Sequence, residues 1–361
     1  MRVLHLELGR HLYGGARQVA YLLDGLAAMG KDAGQHRLVC VPDSGVGNAV
    51  CEAVACVPMP FSGDLDMGFV RRLRREMNLY RPDWLHIHSR RGETLATLAA
   101  ALEGIPVIYT RRVDNPPAWL DVRYKFSRYR RINCISEGIR EVLLRHGVPR
   151  EKLSAVRSAV DHELYRPDPE RRRLFRESLA IDQAALVVGV VAQLILRKGH
   201  RILLDALDDV FAAYPGLQVL FFGKGPEAAG IQELVNARGW HDRVRLVGFH
   251  AHMEQVYPGL DLLVHPALME GLGVSLLEAS ACGLPVVASS VGGIPEIIDH
   301  QLTGQLVEPG SALALQRALL DMLADDAYRQ ACGMRAREKV LRDFTIDRMV
   351  SGNLGLYAVP D

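Results

Sequence analysis

The stretch EGLGVSLLEASACGLPVVAS, residues 270–289, reads as a glycine turn, a helix over roughly 274–282 and an apolar strand over 284–289. A further apolar strand, DLLVHP at 261–266, precedes it. Strand, turn, helix and strand in this order are the unit of a parallel sheet with crossover helices. Two glutamates stand eight positions apart. Glu270 lies just before the turn, and Glu278 lies about one and a half turns into the helix, at about 3.6 residues per turn. A carboxylate on an apolar helix face is costly unless hydrogen-bonded. A vicinal diol, such as that of ribose, supplies two donors. The amides of Gly271, Leu272, Gly273 and Val274 open the helix and suit a phosphate or sugar hydroxyls, with Glu270 beside the reacting group. The plainer alternative makes Glu270 a capping acid and Glu278 a partly exposed helix residue.

The same alternation runs outward in both directions. Towards the N-terminus the expected strands are 2–8, 36–42, 84–88, 106–110 and 132–136. A polar break, SAVDHELYRPDPE at 158–170, reads as an interdomain linker. The alternation restarts with ALVVGVVAQ at 185–193, a run apolar enough for a strand buried on both faces. Strands at 217–223, 244–248, 261–266, 284–289 and 304–308 follow, and the chain ends in helices. The fold expected is α/β, with two Rossmann-like doubly wound domains of about six strands each, facing a cleft. The N-terminal domain is expected over 1–162, joined by the final helix at 345–361, and the C-terminal domain over 163–344. Ligands bind such sheets at the carboxyl ends of the strands, so the cleft is the expected active site.

Composition narrows the functional classes. The 361 residues are 49% hydrophobic and 24% charged, as in a folded globular protein. No apolar run approaches the ~20 residues that span a bilayer. The N-terminal MRVLHLELGRHLYGGARQ is a strand and a glycine loop without a signal peptide's pattern, so a cytoplasmic protein is expected. The six cysteines lack zinc or disulfide spacing, and no metal is expected. Residues 1–180 carry 29 Lys and Arg against 21 Asp and Glu, whereas the remainder carries 14 against 21. Basic clusters at 71–75, 128–131 and 171–173 are either solvated helix faces or a surface for anionic lipid headgroups or a phosphorylated acceptor. Aromatic residues make up only 6% and do not interleave with these clusters, which argues against nucleic acid.

Three further glycine turns stand before helices. YGGARQ places Gly14 and Gly15 after the first strand, without the dinucleotide fingerprint. LRKGH places Arg197 and Lys198 at a turn, where two cations would neutralise a diphosphate without a metal. FGKGP carries Gly225.

The stretch EGLGVSLLEASACGLPVVASSVGGIPEII resembles the signature of retaining family 4 glycosyltransferases with the GT-B fold. The resemblance covers essentially the whole chain, through YGGARQ, INCISEGIREVLLRHGVPREKLSAVRSAVD, LRKGHRILLDAL, FGKGP, VRLVGFH and DLLVHPALMEGLG in the family's order. It implies that Gly14 and Gly15 approach the donor diphosphate and that Lys198 neutralises it. Backbone near Phe249 and His250 would meet the base. Glu278 would hold the ribose, and Glu270 with the amides of Gly271 to Gly273 would hold the donor sugar. It also implies a UDP- or GDP-linked sugar as donor, no separate cofactor, and a glycan or lipid-linked acceptor.

The first half departs from the family pattern. YTRRVDNPP puts Arg112 where many members carry a histidine that reaches the donor sugar. HIHSRRG adds His86, His88, Arg90 and Arg91. Together with Arg111, these arginines are expected to converge on an acidic or phosphorylated acceptor, or else to be neutralised by Asp114 and Glu93. Gln193 stands where the family has an arginine, and Arg197 is expected to supply the missing charge. The catalytic set expected is Glu270, Lys198, Arg112 and His88. The activity expected is retaining sugar transfer in envelope polysaccharide or lipopolysaccharide synthesis, with peripheral contact to an anionic membrane. The rival readings are a nucleotide-sugar epimerase, a GT-B phosphorylase and a binding protein with a decayed site.

Overall fold

Parallel strands organise both halves of the chain. The computed structural model describes residues 1–358, apart from the side chains at 31 and 32. The chain forms two compact units, Met1–Ala159 together with the chain from Ile346 onward, and Val160–Thr345.

Unit 1 holds seven strands: β1 (Arg2–Glu7), β2 (Gln35–Cys40), β3 (Ala55–Pro58), β4 (Trp84–Ile87), β5 (Val107–Arg111), β6 (Arg131–Cys134) and β7 (Leu153–Ala155). Their order across the sheet is β3-β2-β1-β4-β5-β6-β7, and every pairing is parallel. The edge strands β3 and β7 are additions to the sequence-based expectation. They are short and only partly buried, unlike the similarly short but enclosed β4, so neither carries a clear apolar run. The order reverses between β1 and β4, so the chain leaves their carboxyl ends in opposite directions and opens a crevice there.

The helix Gly14–Ala28 buries Val19, Leu22, Leu23 and Leu26, the apolar positions that its periodicity marks. Its Leu22 and Leu26 pack with Met349, Val350 and Tyr357 of the helix Ile346–Tyr357. Gly25 sits where these two helices come closest: an added Cβ would lie 2.5 Å from a methyl of Val350. The last turn is tied to the sheet, because the Trp84 indole donates to the Tyr357 carbonyl at 3.1 Å.

Unit 2 holds six strands: β8 (Val187–Val191), β9 (Gln218–Phe222), β10 (Val244–Gly248), β11 (Leu262–His265), β12 (Val286–Ser289) and β13 (Gly304–Val307). The order is β10-β9-β8-β11-β12-β13, again all parallel, with its reversal between β8 and β11. Val188, Val190, Val219, Phe221, Leu262 and Val264 form the centre of its core. The division between the two units, at Ala159 and Val160, falls within the stretch 158–170, which is ordered. Val160 bridges Thr345, Tyr165 is fully buried, and Asp168 caps the helix Pro169–Ser178. Its polar residues serve local caps and turns, which is why they read as a linker. Among the described residues no helix is long and apolar enough to cross a membrane.

Tyr357 is fully buried, so Tyr357→Ala is expected to destabilise the protein by about 3–5 kcal/mol, the range for deleting a buried aromatic ring. Chemical denaturation measures this, and a loss below 1 kcal/mol would mean that the last helix is not part of the folded core.

Candidate functional site

The site of unit 2 is built where its strand order reverses. After β8 a short turn, Leu196–Lys198, leads to Gly199 at φ +71° and then to the helix His200–Asp205. An added Cβ on Gly199 would stand 1.9 Å from the Pro266 carbonyl oxygen. Only glycine tolerates both that backbone angle and that approach. The two loops are also bonded, with Leu268 N donating to the Arg197 carbonyl at 2.8 Å. The loop after β8 is thereby pressed onto the loop after β11.

This approach brings three chemical groups together. The Lys198 ammonium donates to Glu270 Oε2 in a short contact, and His265 Nε2 lies 2.9 Å from the same oxygen. All three side chains are largely buried. Burial alone would raise the Glu270 pKa. The hydrogen bond and charge of His265, followed by those of Lys198, outweigh it and hold the carboxyl at about 2. The neighbouring His200 is buried on Phe221, and its pKa is pushed down to about 4, first by burial and then by the charges of His265 and Lys198.

Glu278 lies on the helix Val274–Ala281, which Gly273 opens at φ +100° without a side-chain cap. The carboxylate is half-buried, and Tyr257 donates its hydroxyl to Oε2 at 2.8 Å. Tyr257 is fully enclosed. Burial, then Glu278, raise its pKa well above the usual phenol range, so it remains a donor. Gly271 and Leu272 are buried within the preceding turn, and Val274 is half-buried at the helix head.

The other candidates of unit 2 occupy the same sheet edge. Arg197 is exposed after β8. Gly225 is half-buried after β9, in a turn where Leu194 N donates to Lys224 O at 3.1 Å. Phe249 and His250 follow β10. The Phe249 ring is exposed with the Lys224 ammonium 6.0 Å from its centre, and His250 Nδ1 accepts from His252 N at 3.3 Å. Sequence reasoning singled out neither His265 nor Tyr257. The only local signal for His265 is its place at the end of an apolar strand, five residues before Glu270.

In unit 1, Glu7 ends β1, His88 follows β4 and Arg112 follows β5. Gly14 and Gly15 begin the first helix. An added Cβ on Gly15 would lie 3.3 Å from Arg112 Cδ, so the arginine passes directly over the glycine. Glu7 Oε1 accepts from Gly9 N at 2.8 Å, and burial raises its carboxyl pKa. Burial also lowers the Arg112 pKa to about 10, against the opposing pull of Glu7 and Tyr109. Its Nε has no hydrogen-bond acceptor among the described residues.

Arg90, Arg111 and Arg112 all act electrostatically on the Tyr109 ring, but their contacts differ. Arg111 is buried, donates to the Asn115 carbonyl at 2.5 Å and stacks 5.6 Å from the Phe126 ring centre. Arg91 lies 5.9 Å from the Phe61 ring centre, and it and Arg90 are exposed. Successive residues at a strand end face opposite sides, which separates Arg111 from Arg112. Glu93 is not their counterion: it accepts from Tyr129 at 2.5 Å and pairs with Lys125 at 2.9 Å. The ring nitrogens of His5, His86 and His88 lie within 4.8 Å of one another, and these three are the candidate metal ligands among the described residues.

Comparison with known proteins gives one consistent result. The model of the glycosyl transferases group 1 matches residues 171–339, and that of Glycosyltransferase Family 4 matches residues 13–164. N-acetyl-alpha-D-glucosaminyl L-malate synthase of Bacillus anthracis is 36% identical over 39% of this chain and 37% of its own. GDP-mannose-dependent alpha-(1-6)-phosphatidylinositol monomannoside mannosyltransferase of Mycolicibacterium smegmatis is 30% identical over 66% of this chain and 62% of its own. The chain thus spans between 37% and 62% of the length of these curated relatives. Among solved structures, Anabaena HepE in complex with UDP and glucose superimposes with a TM-score of 0.86 at 19% identity, over 99% of both chains. At that identity the likeness shows the fold.

The depressed Glu270 pKa sets a pH dependence. A carboxyl held below its ordinary 4.5 contributes stability that is present above 4.5 and is lost as pH falls towards about 2. The stability gap between wild type and Glu270→Gln is therefore expected to be constant above pH 4.5 and to shrink below it. Denaturation curves across that window check this, and a gap that widens on acidification contradicts the pairing.

Proposed function

Because this chain belongs to the family 4, group 1 glycosyltransferases with the GT-B fold, we propose that it moves a sugar from a nucleoside-diphosphate donor to a hydroxyl of a glycan or lipid-linked acceptor, with retention at the anomeric carbon. The observation that carries this reading is the joint placement of Lys198, His265 and Glu270 at the strand-order reversal of unit 2. A donor sugar nucleotide needs a cation for its diphosphate and acceptors for its hydroxyls, and both stand here at one sheet edge.

Each residue then has a role. An ammonium carries three N–H donors, so Lys198 can keep one on Glu270 and offer others to the diphosphate. Arg197 and the turn at Gly225 complete the diphosphate site of unit 2. Glu270 and the amides from Gly271 to Val274 take the sugar hydroxyls. Glu278, steadied by Tyr257, takes the ribose diol, and the chain at Phe249 and His250 meets the base. In unit 1, Arg112 and His88 act at the sugar or acceptor, while the exposed Arg90 and Arg91 lie on the acceptor side. Arg111 holds its own loop instead.

Bond-making follows from these roles. The bond from the anomeric carbon to the diphosphate oxygen breaks, and one to the acceptor oxygen forms on the same face. The acceptor proton passes to the departing phosphate. Lys198 stabilises the charge that grows on the leaving group, an electrostatic contribution made by a group already in place. Glu270 is a poor nucleophile because Lys198 and His265 both hold its carboxylate, which supports direct transfer without a covalent enzyme intermediate. UDP accompanies the HepE structure and GDP-mannose is named for the mycobacterial relative, so both bases enter the search.

Lys198→Ala and Glu278→Ala are each expected to lower turnover of the sugar nucleotide by about 10²-fold or more, the scale of a lost electrostatic stabiliser. Arg112→Ala is expected to reduce transfer while leaving nucleoside diphosphate affinity unchanged. Steady-state kinetics and calorimetry separate these outcomes. Full activity in both donor-site variants contradicts the assignment, and weakened UDP or GDP binding in Arg112→Ala makes that residue a diphosphate ligand instead.

A further inference from the structure

A chain of histidines crosses the sheet of unit 1, and its direction can be read from one end. His36 Nε2 lies 3.0 Å from the carbonyl oxygen of Ala33. A carbonyl only accepts, so this nitrogen carries a proton. In a neutral ring the other nitrogen, Nδ1, then holds only a lone pair. His5 Nε2 lies 3.0 Å from that nitrogen and must donate to it. His5 Nδ1 is accordingly an acceptor, and His88 Nε2, 3.0 Å away, must donate in turn. The last ring is left with an unprotonated Nδ1. Burial keeps all three rings neutral, holding the pKa of His36 below its ordinary value and those of His5 and His88 well below it.

The output of this chain is an acceptor without a donor. His88 is 3% exposed, and Nδ1 has no hydrogen-bond partner among the described residues. Arg112 presents the complementary lack, a buried Nε–H without an acceptor, and its charge acts on the His88 ring. His86 stands outside the chain, because its nitrogens face the Tyr357 hydroxyl at 2.8 Å and Thr110 Oγ1 at 2.7 Å. A metal on His5, His86 and His88 would have to break these pairs, whereas a hydrogen-bond relay accounts for them as they stand.

We propose that the Ala33 carbonyl, His36 and His5 form a directional relay that holds His88 as its Nε2–H tautomer, so that Nδ1 keeps a lone pair for the Nε–H of Arg112 when the site is occupied. His36 and His5 are positioning residues, and no proton travels along the relay in this role. Anchored through Nε, the guanidinium keeps its terminal N–H groups for substrate, and its rotation is fixed. The link to Arg112 rests on the transferase reading, while the tautomer does not.

The test has two arms. With [15N]histidine-labelled protein, long-range proton–nitrogen spectra report each tautomer, and the signals lost in His88→Gln assign His88. Wild type is expected to show Nε2–H at His88. His5→Phe removes both hydrogen bonds at similar volume and should redistribute the tautomers. His5→Gln offers an N–H to His36 and a carbonyl to His88 and should preserve them. His36→Phe, at a partly exposed position, breaks the relay one step earlier and serves if His5→Phe does not fold. An Nδ1–H tautomer in wild type, or no change when the relay is broken, overturns the proposal.

The second arm uses whichever sugar nucleotide of a UDP-, GDP-, ADP- and TDP-linked panel is turned over. His5→Phe and Arg112→Lys should each lower kcat/KM by about tenfold or more, the scale of a lost hydrogen bond to a charged group. The double variant should be no worse than the poorer single, and His5→Gln should recover most of the loss. Additive losses overturn the link to Arg112. If no UDP-, GDP-, ADP- or TDP-linked sugar is turned over, the transferase reading fails and the spectra alone judge the relay.

Discussion

The backbone of Gly199 lies against the carbonyl of Pro266, and the site of unit 2 depends on that contact. Parallel order places β8 beside β11, but adjacency of strands alone does not bring their loops together. A side chain at residue 199 would push the loops apart. Without one, Lys198 reaches Glu270, and His265 meets the same carboxylate from the end of β11. The cost of burying an acid is then offset by two hydrogen-bond donors, the Lys198 ammonium and His265 Nε2. The result is a paired charge at the edge of a rigid sheet, where a ligand can exchange for part of the pairing without the fold having to reorganise.

Unit 1 uses the same architecture with the opposite balance of charge. Its strand order also reverses beside its first strand, and Glu7, His88 and Arg112 stand at the carboxyl ends of neighbouring strands. Here it is the cation whose hydrogen bonding is incomplete. Burial raises the Glu7 pKa and lowers that of Arg112, while the charge of each opposes the shift of the other. An anionic or hydroxyl-rich ligand would meet both needs. In the two units the acid of one and the arginine of the other are thus treated differently, although the same βα geometry presents them.

What was legible in the sequence was local. Glycine turns before helices, apolar strands of similar length and the spacing of Glu270 from Glu278 are all properties of short segments, and they led to the parallel fold and the family. Partners brought in by sheet order were not legible. Tyr257 meets Glu278 across 21 positions, and Lys198 meets Glu270 across 72. His5, His36 and His88 come from three different strands or strand ends, so no window of the sequence contains their relay. The arginine cluster was legible only in part. Closeness in sequence does not say which way a side chain points: strand alternation sends Arg111 to Phe126 and leaves Arg112 over Gly15. The missing strands β3 and β7 lie at sheet edges, where short, half-covered segments carry little hydrophobic signal.

The central claim is that unit 2 binds a nucleoside-diphosphate sugar through Lys198. The most direct measurement is thermal unfolding of the wild type and of Lys198→Ala across a panel of UDP-, GDP-, ADP- and TDP-linked sugars. Ligand at about 100 times its dissociation constant adds about 2.7 kcal/mol to stability, a shift that such curves resolve. At least one sugar nucleotide should raise the midpoint of the wild type, and the rise should vanish in Lys198→Ala. A panel without any shift in the wild type, or an equal shift in the variant, would contradict the account.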